Sequence, residues 1–226
     1  MTDTVEFSTR IRSTIPENIE LGLFIFDTKT CDAIKINENE YFPLASIAKF
    51  ITSVFSLNRN APLESVQKSI SHHDSESYQK LNTIISDKEI NDRLHELNLD
   101  VMVHKENQDK IHNIGTPEGV ATFLKYLIDE ELLNHENTKN ILEALRTQKD
   151  PDGFRFQGQW LHMTGGLEGV CNDVGYLIIE DRPIIIAGFI KTTHVQVSWS
   201  HLEAGLRKIG EIINDRYTLN HQETHK

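Results

Sequence analysis

The chain has 226 residues, of which 38% are hydrophobic and 25% are charged. These proportions are typical of a soluble globular protein, and the length allows one domain with a sizeable core. The formal net charge of −11 argues against a nucleic-acid partner, because phosphate backbones are bound by clustered Lys and Arg. No stretch approaches the roughly 20 apolar residues of a membrane helix, so no membrane partner is expected.

The start of the chain lacks the features of a secretory leader. Met1 is followed by Thr-Asp-Thr-Val-Glu, without a basic segment, an apolar segment or a small-residue cleavage site. We therefore expect a cytoplasmic protein, or a secreted one whose leader is not part of this sequence. Cys31 and Cys171 are too few for a disulfide framework or a thiolate cluster. Both are expected to be reduced and to pack as small hydrophobic residues.

Apolar periodicity in the first 57 residues predicts a helix, a hairpin and a second helix. A short amphipathic helix is expected over 4–13, followed by strands over 21–27 and 31–36. The turn between these strands is so short that they must run antiparallel. Residues 46–57 are strongly apolar and predict a buried helix.

The middle of the chain, residues 62–130, predicts mainly helices with polar interruptions. Thr116-Pro117-Glu118 is typical of a helix start, with a hydroxyl cap, a proline at the first helical position and an acid in the first turn. A further helix is expected over 137–147.

The last third of the chain returns to strands, at 160–164, 172–179 and 183–191. The second and third of these form a hairpin, and the third is apolar on both faces, so helices should cover both faces. A final helix is expected to begin near Ser200, which has the spacing of a capping box with Glu203.

This order of elements predicts an α/β (α+β) fold. The simplest assembly is a five-stranded antiparallel sheet, formed from both chain ends and flanked by helices, with a helical lobe inserted. The expected single domain, 1–226, has a sheet lobe from 1–45 and 150–226 and a helical lobe from 46–149.

Ser46 and Lys49 are the first candidates for chemistry. They are three residues apart at the start of an apolar helix, and therefore share one helix face. Burial lowers the pKa of a lysine, which allows it to deprotonate a serine. The same spacing occurs at Ser65–Lys68 and Ser77–Lys80, but in polar surroundings where a lysine keeps its solvent shell. The alternative role for Ser46 is a simple helix cap.

Three segments resemble the motifs of class A β-lactamases and penicillin-binding enzymes. Phe-Pro-Leu-Ala-Ser-Ile-Ala-Lys at 42–49 is similar to the S-x-x-K motif with its apolar lead-in. His-Met-Thr-Gly-Gly at 162–166, continuing to Asn-Asp-Val-Gly at 172–175, is similar to the K-T-G segment. Residues 113–124 resemble the family's Thr-Pro helix. The resemblance spans nearly the whole chain and implies this fold and an acyl-enzyme formed on Ser46.

The second motif of that family, S-D-N, has a blurred counterpart. His73-Asp74-Ser75 is the best match, and Ser75-Glu76-Ser77 is a shifted alternative. The resemblance implies that this loop transfers protons and holds substrate. His73, with a reference pKa near 6.5, is the candidate for proton transfer, and Asp74 and Ser75 are candidate substrate contacts. The alternative is a polar surface loop.

The third motif departs from the family. Met163 stands where relatives have the lysine that helps to bind the substrate carboxylate, and a thioether carries no charge. Thr164 keeps the hydroxyl, and Gly165 follows it in the same candidate substrate-binding strand. The backbone N–H of Gly166 is expected to pair with that of Ser46 as an oxyanion hole.

The hydrolytic glutamate of class A β-lactamases has no clear counterpart. Glu106, followed by Asn107, is the best candidate for activating water. The interval from Ser46 to His73 is shorter than in typical class A enzymes, so the helical lobe should be trimmed and the cleft open. No metal or other cofactor is expected, because His72 and His73 are adjacent and no H-E-x-x-H spacing exists.

Three hypotheses follow for the function. The leading one is a serine hydrolase or acyltransferase that acts through Ser46 on a small-molecule ester, amide or lactam. The second is a genuine class A-type β-lactamase, with water activated by Glu106 or His73. The third is a non-catalytic ligand-binding or scaffold protein that keeps the fold. The sequence leaves the acyl donor, the acceptor and the oligomeric state open.

Overall fold

The computed structural model of the protein describes residues 2–104 and 112–219. Its helices are α1 (Thr2–Arg12), α2 (Ile47–Leu57), α3 (Leu63–Ser71), α4 (Ser75–Ile84), α5 (Asp87–Glu96), α6 (Pro117–Ile128), α7 (His135–Arg146) and α8 (Trp199–Leu219). Its strands are β1 (Glu20–Asp27), β2 (Ala33–Ile36), β3 (Phe42–Pro43), β4 (Val101–Met102), β5 (Ile114–Gly115), β6 (Gln159–Leu167), β7 (Val170–Ile179) and β8 (Arg182–Lys191).

The main sheet has five antiparallel strands in the order β2-β1-β8-β7-β6. Strands from the two ends of the chain meet where β1 pairs with β8, from Glu20 opposite Lys191 to Asp27 opposite Ile184. The predicted five-stranded antiparallel sheet with flanking helices is therefore confirmed. Strand β6 forms one edge of this sheet, next to the start of α2.

Each face of the sheet packs against a different hydrophobic core. Ile184, Ile186 and Ile190 of β8 point to the core that contains residues of α1 and α8. Ile185 and Phe189 of the same strand point to the core built around α2 and α6. This alternation confirms that both faces of β8 are covered, as its continuous apolar run predicts. All eleven residues of α2 are buried, so this helix runs through the helical core.

A second, three-stranded sheet in the order β3-β5-β4 was not predicted. Each of its strands has two residues, too few to show a period in the sequence. The register pairs Phe42 with Gly115 and Pro43 with Ile114. Leu44 N–H then donates to Asn113 O at 2.8 Å. This small sheet fixes the chain immediately before Ser46.

Local predictions succeed at one helix start and fail at another. Thr116 caps α6, accepting a hydrogen bond from Gly119 N–H at 3.0 Å, with Pro117 at the first position as expected. The capping box of Ser200 and Glu203 is wrong, because α8 already begins at Trp199. The Glu203 carboxylate instead pairs with Arg155 at 2.8 Å.

One of the two cysteine predictions also fails. Cys171 is a free, buried thiol as expected, whereas Cys31 is free but exposed. Strand β2 begins at Ala33, so Cys31 lies in the preceding turn with a positive φ of 60°. The short turn between β1 and β2 leaves no core position for its side chain.

Candidate active site

Ser46 lies at the N-terminus of α2, and its hydroxyl makes no capping hydrogen bond to the helix. It occupies the N-cap position but has helical dihedral angles, φ −67° and ψ −9°, and its side chain makes no cap hydrogen bond. A capping serine normally has extended dihedral angles and accepts a bond from the first turn. The simple helix-cap role is therefore wrong. The half-buried Ser46 lies near the positive end of the helix dipole.

The residue before Ser46 has a strained backbone. Ala45 has a positive φ of 51°, a conformation that costs a non-glycine residue about 1–3 kcal/mol. Asn172 of β7 holds this turn by donating from Nδ2 to Pro43 O at 2.7 Å and to Leu44 O at 3.3 Å. Gly165 of β6 lies so close that a Cβ there would be 2.7 Å from Leu44 O. The sharp turn therefore presents Ser46 against the edge strand.

Lys49 is buried and turned into the site. Only 9% of the residue is exposed, and its Nζ donates to His73 O at 3.0 Å and contacts Ser75 Oγ at 3.4 Å. The same Nζ lies 5.7 Å from the centre of the Tyr78 ring. Burial lowers the pKa of Lys49, and the negative charge of Asp74 partly opposes this shift. A larger neutral fraction suits an amine that takes a proton.

The loop 73–75 lies over this lysine, as the resemblance to S-D-N implies. His73 has a positive φ of 53°, which directs its carbonyl to Lys49. Ser75 starts α4 and presents its hydroxyl to the same amine. Asp74 caps α4, accepting from Ser77 N–H at 2.7 Å, so its carboxylate has a structural role besides its charge. The segment that holds the main match, and Ser75 that it shares with the shifted alternative, thus contact Lys49 through His73 O and Ser75 Oγ.

Thr164 of β6 belongs to a polar cluster that the sequence did not reveal. Its Oγ1 donates to Asp150 Oδ2 at 2.7 Å and lies 3.0 Å from His73 Nε2. Gln148 Nε2 is 3.0 Å from the same histidine nitrogen. Asp150 and Gln148 follow α7 in an irregular segment, where no periodicity or motif marks them. Burial lowers the pKa of His73, with Asp150 opposing the shift and Lys49 and His162 adding to it.

Met163 is a core residue rather than an exposed residue of the site. It is fully buried in the helix-side core, and its Sδ lies 3.6 Å from Gln148 Nε2. Its neighbour His162 points to the other face and contacts Asp173 Oδ1 at 2.8 Å through Nδ1. The buried Asp173 carboxylate also accepts from Phe154 N–H and Trp160 Nε1. The contact between His162 of β6 and Asp173 of β7 therefore supports the hairpin that these two strands form.

A small cavity of about 100 Å³ adjoins Ser46. Its lining combines the nucleophile candidate with the edge strand: Ala45, Ser46, Ala48, Lys49, Tyr78, Asn113, Gly166 and Leu167. Gly166, the expected partner in an oxyanion hole, therefore shares a cavity with Ser46. A larger cavity of about 490 Å³ lies beyond the β6–β7 turn, with Tyr41, Lys191 and His194 in its lining, and does not include Ser46.

Three expectations from the sequence remain, for Glu106, metal binding and a membrane partner. Glu106 falls outside the described residues, so its position in the site stays a prediction. In residues 2–104 and 112–219 no group of three or more His, Cys, Asp or Glu side chains is arranged to hold a metal ion. No helix in these ranges combines the length and apolarity needed to cross a membrane.

Solved structures share this architecture at low sequence identity. A PBP-A mutant, solved as an acyl-enzyme complex with penicillin G, is 17% identical with a TM-score of 0.82, covering 94% of this chain and 96% of that one. A β-lactamase from Chitinophaga pinensis is 16% identical with a TM-score of 0.82, covering 95% and 99%. A class A β-lactamase representative from Bacteroides cellulosilyticus is 17% identical with a TM-score of 0.83, covering 94% and 97%.

These likenesses define the fold class as that of β-lactamases and penicillin-binding proteins. The model of the β-lactamase enzyme family (Beta-lactamase2) matches residues 63–217, more than half of the chain. The chain therefore belongs to the β-lactamase enzyme family. No match was found among curated protein sequences. The family match begins after Ser46 and Lys49, so the interpretation of these two residues depends on their geometry.

Proposed function

We propose that the protein is a serine hydrolase or acyltransferase that forms an acyl-enzyme on Ser46 with a small ester, amide or lactam. The observation that carries this proposal is the environment of Lys49. Its amine is buried one helical turn from Ser46, and its hydrogen bonds go to a carbonyl and a hydroxyl rather than to a carboxylate. An ion pair would keep it protonated, whereas this environment favours the neutral base.

The acylation step transfers one proton and exchanges one bond. Neutral Lys49 takes the proton from Ser46 Oγ as the oxygen attacks the acyl carbonyl and forms a C–O bond. The backbone N–H groups of Ser46 and Gly166 stabilise the resulting oxyanion. The carbonyl then re-forms as the bond to the leaving oxygen or nitrogen breaks. The leaving atom takes the proton back from Lys49, directly or through Ser75 Oγ, which lies 3.4 Å from Nζ.

Transfer of the acyl group to water is expected to be slower than acylation. The lining of the small cavity contains no Asp or Glu among the described residues, so no carboxylate there activates a water molecule. Glu106, which lies outside the described ranges, keeps that role as a candidate. This difference in rates predicts an acyl-enzyme that accumulates and is released to water or to another nucleophile.

Mass spectrometry of the intact protein tests the proposal. The full chain is exposed to penicillin G and to p-nitrophenyl esters, and the site of any adduct is mapped by proteolysis. We expect one adduct, on Ser46, that Ser46→Ala abolishes. Ser65→Ala is the matched control, because Ser65 has a lysine at the same spacing, Lys68, whose amine is instead paired with Glu64 at 2.6 Å. An adduct that survives Ser46→Ala contradicts the proposal.

β-Lactamase activity is the second candidate, and the solved acyl-enzyme of PBP-A with penicillin G favours testing it. Turnover of a chromogenic cephalosporin that Ser46→Ala removes supports this candidate. An adduct without turnover supports the acyltransferase form of the proposal. Failure of all probes to modify Ser46 instead supports a binding or scaffold protein with this fold.

A further inference from the structure

We propose that Asp150 makes this site select acyl substrates in which the group bound next to Thr164 is not a carboxylate. This inference rests on the acyl-enzyme function proposed above. The resemblance implies that the strand containing Met163 and Thr164 receives the substrate, with a lysine and a hydroxyl for its carboxylate. In this chain the lysine is absent, and an acidic side chain already uses the hydroxyl.

Counting hydrogens shows that Thr164 has none left for an anion. A hydroxyl has one hydrogen, and at 2.7 Å from Asp150 Oδ2 that hydrogen is donated to the carboxylate. Thr164 Oγ1 can then only accept, and its neighbour at 3.0 Å is His73 Nε2. A substrate carboxylate at this position would compete with Asp150 for a single hydrogen, and the two anions would repel each other.

Gln148 is also fully engaged. Its Nε2 donates to Ile70 O at 2.9 Å, and its Oε1 accepts from the backbone N–H groups of Lys149 and Asp150. These bonds fix which amide atom is nitrogen. The second Nε2 hydrogen is taken up by two near neighbours, His73 Nε2 at 3.0 Å and Met163 Sδ at 3.6 Å. The amide therefore does not replace the missing lysine as an anion-binding group.

The positive charges around Thr164 do not compensate for Asp150. Burial favours neutral His73 by lowering its pKa. Arg155 is committed to Glu203 at 2.8 Å and to Asp152 at 3.6 Å. Lys149 is exposed, so solvent and salt screen its charge. Burial lowers the pKa of Lys49, and its amine is held by His73 O and Ser75 Oγ rather than by Thr164.

Asp150 itself stays ionised at neutral pH. Partial burial raises the pKa of its carboxyl, but the hydrogen bonds from Thr164 and Asp152 and the nearby His73 outweigh burial and lower it. Its Oδ1 accepts from Asp152 N–H at 3.0 Å, and its Oδ2 lies 3.8 Å from His73 Nε2. A fixed negative charge therefore faces the site. Uncharged or cationic groups are favoured there.

The test compares penicillin G with its methyl ester, two compounds that differ in the charge of one group. The rate of Ser46 acylation is measured by intact-protein mass spectrometry and divided by each compound's reactivity towards hydroxylamine. We expect the ester to acylate the unmodified protein about tenfold faster than the acid, the ratio that one modest like-charge contact produces. Added salt should reduce this preference by screening the repulsion.

Asp150→Asn tests the assigned residue, because it keeps the shape and can accept from Thr164 without the charge. We expect it to reduce the ester-to-acid ratio about tenfold. Asp129→Asn, which removes an equal charge at the far end of α6, should leave the ratio unchanged. A loss of stability alone would slow both compounds equally and would not move the ratio.

The outcomes separate this inference from the function on which it rests. Equal normalised rates for acid and ester in the unmodified protein overturn the inference and leave the acyl-enzyme intact. An unchanged ratio in folded Asp150→Asn overturns the role of Asp150. If neither compound modifies Ser46 in any variant, the proposed function fails and the inference fails with it.

Discussion

Replacing Asn172 tests whether its amide holds the turn that presents Ser46. Asn172→Ala removes the 2.7 Å hydrogen bond to Pro43 O and the 3.3 Å bond to Leu44 O. Leu44 O keeps the bond from Ile47 N–H, so one buried carbonyl loses a strong donor, at a cost of about 1–3 kcal/mol. Among the described residues the Asn172 Oδ1 has no partner, and its removal recovers part of this cost.

The expected net loss for Asn172→Ala is about 1–2 kcal/mol, since the cost of the lost donor exceeds the recovered desolvation. Thermal unfolding should therefore occur about 2–8 °C lower for a chain of this size. Acylation of Ser46 should slow by roughly 10- to 100-fold, because a displacement of about 1 Å at a reacting group has that effect.

Asn172→Asp distinguishes hydrogen bonding from packing. Aspartate has the shape of asparagine, but places an oxygen without a hydrogen 2.7 Å from Pro43 O. We expect it to destabilise the protein more than alanine does. Asn214→Asp, in a second buried asparagine on α8, controls for a general loss of stability and should leave the acylation rate unchanged. If Asn172→Asp melts at the temperature of the unmodified protein, the amide does not hold the turn.

Two further predictions concern the base and the core. The acylation rate should increase with pH to a midpoint below the ordinary lysine pKa of 10.5. Asp74→Asn should lower that midpoint, because the negative charge of Asp74 raises the pKa of Lys49, and asparagine can still cap α4. A midpoint that rises or stays fixed in this variant contradicts Lys49 as the base. Tyr176→Phe removes a buried 2.7 Å bond to Leu124 O, so unfolding should occur about 2–4 °C lower for a loss of about 1 kcal/mol, with the acylation rate unchanged.

Features encoded in short stretches of sequence were predicted well. Alternation of apolar and polar residues predicts the strands and their hairpins, because it determines which side chains of a strand are buried. The apolar run of β8, which continues on both faces of the strand, predicts a core on each side of the sheet. The S-x-x-K spacing predicts that Ser46 and Lys49 share one helix face, and both residues line the small cavity. The polar surroundings of Lys68 distinguish the chance match Ser65–Lys68 from the match at Ser46–Lys49. The ion pair between Lys68 and Glu64 agrees with that distinction.

Features created by contacts between distant segments were not predicted. The amide of Asn172 meets the chain before Ser46 across more than a hundred residues, and Gln148 meets His73 across 75. Neither contact leaves a period or spacing in the sequence. The strand pairs of the small sheet are equally invisible, since two residues cannot show alternation. The strained φ of Ala45 is imposed by the same distant contacts.

The departures from the family's motifs form a mutually satisfied set, which favours an adapted site over a decayed one. A site that has lost its function is expected to leave polar groups without partners, each at a cost of about 1–3 kcal/mol. Here Thr164, His73, Gln148 and Asp150 satisfy one another around the apolar Met163. Within the described residues, the buried polar atoms that lack partners, such as those of Ser53, Ser69 and Thr138, lie outside this cluster. A lysine restored at position 163 alone would enter a fully buried position whose polar neighbours are already paired. Met163 and Asp150 therefore belong to one electrostatic arrangement, which agrees with the proposed preference for an acyl substrate without a negative charge.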